Sequence, residues 1–421
     1  MKRFFFRTAA LLCTAALLLT GLTGCSFTET SVEELMRPPQ LSESRKQIQE
    51  ALTGLIGTGY ALTSPKSGAD RSGITMADLD GDDINEAVCL YTAGTPSLVH
   101  VLVLKWTGDT WQKLGQYDSD ATTVEKLEFA DITGDGVSEI IVGWGYLTGS
   151  DHVMEILKIQ QNMLSLHKEL YHQFVIAGRN ENRIVLLNTT GASAVLLGYK
   201  DNKVTSLSSV PLDARVRSIL ALEVSKTTAG ASAVYVDTQL SNQMYATEVL
   251  VINDEDYLEN KLFTGEHMLG DRPIAVKCTD INGDSIPEIP QAVPMTEKKN
   301  TAYYTYWFSF DGTRLSKPTI TFTSAAEQFY FEYPENWIDK ISVTKDEQSE
   351  RTYHFVLNRN GKTIYMLRVF TPSEYQELSP TEAWTTVIES TDKIIAWQQS
   401  TASPEQYALS GEDWMQSLHI Y

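Results

Sequence analysis

The chain has 421 residues, with 34 Lys plus Arg against 54 Asp plus Glu and a formal net charge of −20. At about 150 residues per domain this length suggests two or three domains, and 42% hydrophobic with 21% charged residues is ordinary globular usage. The acidic balance argues against nucleic acid as a main partner, because neutralising phosphates needs a basic face. Four cysteines exclude a disulfide scaffold. No stretch beyond the N-terminal region approaches about 18 consecutive apolar residues, which excludes a helical span in the mature chain.

Lys2, Arg3 and Arg7 precede an apolar run from Ala9 to Leu19, too short to cross a bilayer comfortably. The run ends at Leu22-Thr23-Gly24-Cys25. This resembles the lipobox of bacterial lipoproteins, which implies removal of residues 1–24 as a signal peptide and a diacylglycerol on the sulfur of Cys25. An ordinary secretory signal with an incidental cysteine is the other reading. Two acyl chains on one residue meet the condition for stable anchoring. The resemblance therefore implies a lipid-anchored protein on the extracytoplasmic face of the cell membrane.

Residues 25–40 are polar, contain Pro38-Pro39 and fit a tether. Residues 41–59 read as an amphipathic helix. Ser44 and Gln47 form a capping box, and Ile48, Ala51, Leu52, Leu55 and Ile56 make one apolar stripe. Docking on the following domain is the simple expectation for that stripe.

From residue 60 to 322 the pattern changes to short β-type runs between Gly, Asn and Asp. One phrase occurs three times, at Asp78 to Glu86, Asp131 to Glu139 and Asp280 to Glu288, each followed by apolar residues. The spacings are 53 and 149, so two degenerate copies fit between, around Arg183 to Leu187 and Ala233 to Val236. Strand–turn–strand signals lie at Trp106, Ile159, Tyr199, Ile252 and Phe310. In the acidic repeats these fall 28, 28 and 30 residues after the first Asp. Two features with one phase define a repeat of about 50 residues.

An all-β repeat of that size suggests radial closure of small sheets. The phrases resemble the FG-GAP or VCBS repeat of integrin-alpha-type β-propellers, whose core reads D-x-[DN]-G-D-G-x-x-[DE] before a strand. The fold implied is mainly β: a β-propeller of about five blades, preceded by the short helix and followed by a small α+β domain over 323–421. In that last part Tyr353 to Leu357 and Ile364 to Phe370 form a hairpin across Asn360-Gly361. Pro380 to Ser390 reads as a helix and Lys393 to Gln398 as a strand.

The acidic phrases concentrate hard oxygen donors. Asp78, Asp80, Asp82 and Glu86 belong to the first, Asp131, Thr133, Asp135 and Glu139 to the second, and Asp280, Asn282, Asp284 and Glu288 to the third. Ile84, Val137 and Ile286 can add backbone carbonyls. No Cys or His lies in the loops, which selects calcium over zinc or copper. The expected cofactor is structural Ca²⁺, up to three ions. Solvated acidic turns without an ion are the alternative. Cys89 and Cys278 could pair or could be buried thiols.

No G-x-S-x-G, H-E-x-x-H, C-x-x-C or Walker loop is present. The resemblance implies recognition of a protein or polysaccharide ligand through loops on one face. An envelope glycan hydrolase or lyase using a propeller channel, or a structural subunit of an envelope complex, are the alternatives.

Overall fold

The computed structural model describes residues 43–146, 152–160, 162–188, 191–261, 269, 271–297, 302–378, 383–401 and 403–420. The signal peptide, tether and Cys25 lie outside them. The chain divides into two compact units, Met1–Gly54 and Leu55–Tyr421. The first is described through helix α1 (Glu43–Ile56), whose buried residues are Ile48 and Leu52, two members of the expected stripe.

The second unit is mainly β, in several antiparallel sheets with no closed barrel. Sheet one contains β1 (Tyr60–Leu62), β2 (Ile74–Ala77), β3 (Glu86–Ala93), β4 (Leu98–Trp106) and β5 (Trp111–Asp118). Both β1 and β2 pair along one edge of β3. Sheet two is β6 (Thr123–Ala130), β7 (Glu139–Gly145), β8 (His152–Lys158) and β9 (Leu164–Tyr171). Sheet three is β10 (Gln173–Ala177), β11 (Arg183–Leu187), β12 (Ser193–Lys200) and β13 (Lys203–Pro211). Sheet four is β14 (Val216–Lys226), β15 (Ser232–Leu240), β16 (Tyr245–Ile252) and β17 (Leu258–Asn260). Sheet five starts with β18 (Ile289–Pro294), β19 (Tyr303–Phe308), β20 (Thr319–Ser324) and β21 (Phe329–Glu332). Sheet six holds β22 (Ile341–Lys345), β23 (Thr352–Leu357), β24 (Thr363–Phe370), β25 (Thr385–Glu389) and β26 (Ile394–Gln399). Helices α2 (Pro372–Gln376) and α3 (Gly411–Ser417) complete the C-terminal part, and β27 (Leu418–Ile420) returns to pair with β21.

Sheets two, three and four are simple up-and-down meanders, each strand pairing with the next. Their hairpins use the turn chemistry that the sequence announces. Asp201 and Asn202 both have positive φ, as a two-residue turn between twisted strands requires.

Neighbouring sheets share cores in series. In β7, Ile140 and Val142 pack toward sheet one while Ile141 packs toward sheet three. In β11, Ile184 and Leu186 face sheet two while Val185 and Leu187 face sheet four. Burial on both faces explains why these strands are continuous apolar runs rather than alternating ones. Sheets four and five meet through Tyr235, Val249, Cys278, Ile289 and Phe310.

Sheets five and six share an aromatic core that includes Tyr304, Phe322, Phe331, Trp337, Phe355, Tyr365 and Trp414. The boundary expected at 322/323 falls inside β20, because the strand that pairs after the Asp311-Gly312 turn begins only at Thr319. The helix expected over Pro380 to Ser390 is corrected: its described part is β25, paired with β26. The β-branched run Thr385-Thr386-Val387-Ile388 favours a pleated edge over a helix. Cys89 and Cys278 are both buried and unpaired. Burial pushes the Cys89 thiol up to about 12.

Candidate functional site

Each acidic phrase forms the turn that leads into a strand, β3, β7 or β18. In sheets one and two it joins β2 to β3 and β6 to β7; in sheet five it follows the Thr279↔Glu288 bridge and leads into β18. The turn needs left-handed backbone twice. Gly81, Gly134 and Gly283 have φ of 76°, 76° and 82°, and two residues later Asp83, Gly136 and Ser285 have φ of 65°, 86° and 65°.

The first Asp of each phrase closes the turn by accepting backbone N–H groups, two at Asp78 and three each at Asp131 and Asp280. Asp78 accepts from Gly81 (2.8 Å) and Asp83 (3.0 Å). Asp131 accepts from Gly134 (2.6 Å) and Gly136 (2.8 Å), and Asp280 from Gly283 (2.7 Å) and Ser285 (2.8 Å). At the fifth position Asp82, Asp135 and Asp284 accept from the N–H groups of Ile84, Val137 and Ile286. The final Glu is buried in every copy: Glu86, Glu139 and Glu288 are 0%, 0% and 2% exposed. Their Oε2 atoms accept from the N–H groups of Leu79, Ile132 and Ile281.

The third position separates the copies chemically. Thr133 Oγ1 donates to Glu139 Oε1 (2.9 Å), and Asn282 Nδ2 donates to Glu288 Oε1 (2.7 Å). Asp80 has no proton to give, and Glu86 Oε1 and Asp80 Oδ1 are buried without a hydrogen-bond partner among the described residues. Ligand oxygens of Asp78, Asp80 and Glu86 lie within 4.8 Å of one another. Clustered hard oxygens with unsatisfied lone pairs fit a calcium-type cation. Among the described residues, this is the one group of carboxylate, thiol or imidazole side chains that meets that spacing.

Sequence reasoning missed the residues across the ladder. Ala87 pairs with Leu104, Ile140 with Leu157 and Ile289 with Phe308, so Lys105, Lys158 and Ser309 lie directly opposite Glu86, Glu139 and Glu288. Lys105 Nζ donates to Asp80 and to Asp82 (2.7 Å) and lies 3.6 Å from Glu86 Oε1. Lys158 Nζ donates to Asp135 (2.5 Å) and Thr133 (3.2 Å) and reaches Glu139 Oε1 at 3.5 Å. Ser309 Oγ donates to Glu288 Oε1 (2.9 Å). The hydrogen bonds it donates to Asp80 and Asp82 hold the Lys105 ammonium above the ordinary lysine range, and the one donated to Asp135 does the same to Lys158. Lys105 in turn lowers Asp82, and Lys158 lowers Asp135. Burial pushes Glu139 and Glu288 upward.

The turns also touch one another. Ser138 N donates to Leu79 O at 2.7 Å, joining the first two loops. Ser225 Oγ donates to Ser285 O at 3.1 Å, joining the third loop to sheet four. Beside that contact lies a cleft of about 620 Å³. Its walls are the β10–β11 turn (Gly178, Arg179), the end of β14 (Val224, Lys226), the β16–β17 turn and Asp284 to Ile286 of the third loop. Two ion pairs lie at its rim: Arg179 with Asp254 at 2.5 Å and Arg183 with Asp256 at 2.7 Å.

Elsewhere the buried acids are engaged in packing. Glu155 accepts from Trp144 Nε1 and Tyr117 and pairs with Lys168. Glu248, 3% exposed, accepts from Asp213 N and Asn260 Nδ2. Neither lines the cleft. No protein-family model matches the chain, and no curated protein matches it.

Proposed function

We propose that this is a lipid-anchored protein of the extracytoplasmic face of a bacterial cell membrane, built on a β-propeller of FG-GAP or VCBS type. In this reading it recognises a protein or polysaccharide ligand and does not turn it over. The carrying observation is the cleft between sheets three, four and five, whose mixed polar and apolar walls come from the β10–β11 and β16–β17 turns, the end of β14 and the third acidic loop. Its volume is in the range of ligand sites, and its charged lining residues include Arg179, paired with Asp254, and Lys226 and Asp284. The serial stacking of sheets through shared cores supports the propeller. Calcium is the structural ion of this reading, up to three per chain, clamping the acidic turns.

The test is a glycan array, together with capture from envelope extract, using the mature chain in calcium and in chelator. Saturable binding to one ligand class is expected. Reproducible turnover of a glycan, ester or peptide, abolished by substituting one carboxylate, would overturn the binding reading. The anchor has its own test: Cys25→Ala should lose palmitate labelling and detergent-phase partitioning, and unchanged labelling would refute it.

A further inference from the structure

The three acidic turns share a backbone, but the buried glutamate that ends each one is satisfied to a different degree. Glu139 takes four donors: Ile132 N, Thr133 N and Thr133 Oγ1 at 2.9, 3.0 and 2.9 Å, and Lys158 Nζ at 3.5 Å. Glu288 takes three, from Ile281 N at 3.0 Å, Asn282 Nδ2 at 2.7 Å and Ser309 Oγ at 2.9 Å. Glu86 is as deeply buried, at 0% exposure, yet it takes only the N–H of Leu79, at its Oε2. Among the described residues its Oε1 has no hydrogen-bond partner, and neither has the buried Oδ1 of Asp80. Lys105 does not fill this gap. Its ammonium binds the Oδ2 atoms of Asp80 and Asp82 and stops 3.6 Å from Glu86 Oε1, beyond hydrogen-bond reach.

We propose that the first turn alone holds a divalent cation of calcium type, on Asp78, Asp80 and Glu86, and that the third residue of each phrase makes this selection. A carboxylate there admits the ion; a proton donor there takes its place. The proposal rests on the calcium reading above and narrows it from up to three ions to one.

Charge does not separate the copies. The third turn has Asp280, Asp284 and Glu288 with Ser309 at the ladder position, and the first has four carboxylates facing one lysine. Satisfaction of the buried acceptors does separate them. A carboxylate oxygen taken out of water without a partner is costly. Thr133 and Asn282 meet that cost from the third position, with a hydroxyl or amide proton aimed at the Oε1 of Glu139 or Glu288. Asp80 has no proton to offer, and its own Oδ1 adds a second bare acceptor. Ligand oxygens of Asp78, Asp80 and Glu86 lie within 4.8 Å of one another, close enough to surround one ion. An all-oxygen set of carboxylates suits a hard cation. In the other two turns an ion would first have to break the hydrogen bonds that already hold the glutamate.

Calorimetric titration of the mature protein with calcium chloride tests the proposal, with melting temperature read in parallel in chelator and in calcium. The wild type should bind one calcium and melt higher when it is added. Asp80→Asn gives the first turn the third residue of the third turn, a side chain this backbone already accommodates. It should lose the ion, with affinity down tenfold or more and no calcium response in its melting temperature. Thr133→Asp gives the second turn the carboxylate of the first, opposite a lysine at the same ladder position, and should bind a second calcium. If Thr133→Asp fails to fold, Asp80→Asn decides alone. A wild type that binds one or more ions and keeps them all in Asp80→Asn would overturn the proposal and leave the calcium reading standing. So would a wild type that binds more than one ion, or a folded Thr133→Asp that gains none. A wild type that binds none would overturn both.

Discussion

Glu248 on β16 offers a sharp pH test of the sheet-four core. Its carboxyl group is 3% exposed, accepts from Asp213 N at 3.1 Å and from Asn260 Nδ2, and faces the Asp213 carboxylate. Asp213 is held low by its bidentate hydrogen bonds from Arg215, which also pairs with Asp271. Burial pushes Glu248 from 4.5 up to about 7, partly offset by its two hydrogen bonds. Between those values the folded protein keeps a proton that the unfolded chain has lost. Stability is therefore full below about pH 4.5 and declines as pH rises through 7. A pKa displaced that far corresponds to about 3 kcal/mol. Glu248→Gln removes the titration and keeps the shape, and rotation of the Asn260 amide can present its oxygen to the new donor. Urea unfolding of wild type and Glu248→Gln at a series of pH values from 4.5 to 8 should give curves that diverge by about 3 kcal/mol across that window. Carboxylates distant from Glu248 cancel in the difference. Curves that stay parallel would refute the assignment of a buried, proton-retaining Glu248.

Three further outcomes follow from packing. Trp414 is fully buried and stacks on Trp397 at 5.5 Å beside Tyr365 and Phe355, so Trp414→Ala should cost about 3–5 kcal/mol of unfolding free energy; a loss near zero would contradict the shared core of sheets five and six. Asp237 and Arg272 are each 2% exposed and joined at 2.8 Å, so Asp237→Ala strands a buried guanidinium and should destabilise by about 3–5 kcal/mol in chemical denaturation, whereas a near-neutral effect would contradict the pair. In a chain lacking residues 1–25, Cys89 and Cys278 should stay unreactive toward a thiol reagent while folded and react with two equivalents on unfolding; prompt native labelling would contradict their burial.

Much of this architecture is legible in local chemistry. The Asp-Gly and Asn-Gly turns, the acidic phrases and the β-branched runs each specify backbone geometry within a few residues. The left-handed positions at Gly81, Gly134, Gly283 and Gly361 follow directly from that chemistry. Gly230 lies three residues before Ala233, as Gly136 lies before Glu139, and both have positive φ. What depended on distant pairing was harder to read. Strand β25 forms because β26 is there to receive it, and β27 belongs to sheet five through a contact with β21 that spans most of the C-terminal region. The capping box at Ser410 and Asp413 marks α3, yet its weak apolar pattern hides the one feature that fixes it, the buried Trp414. The two lysines carried a usable signal. Lys105 and Lys158 each stand 27 residues after the first Asp of their phrase, inside the same hairpin segments that revealed the repeat. Only the cross-strand register shows that they point at the carboxylates.

The recognition reading is tested most directly by blocking the cleft without disturbing the sheets. Val224 lines it and is 41% exposed, and Lys226 and Asp284 line it too. Val224→Arg and Lys226→Glu change its size and charge at exposed positions, where substitutions shift stability by about 0.5 kcal/mol or less. Affinity for the ligand found on the array or in the extract should be measured for both variants in calcium, with melting temperature as control. A fall of tenfold or more at unchanged melting temperature is the expected result. Full affinity in both variants would place recognition elsewhere and contradict the role assigned to this cleft.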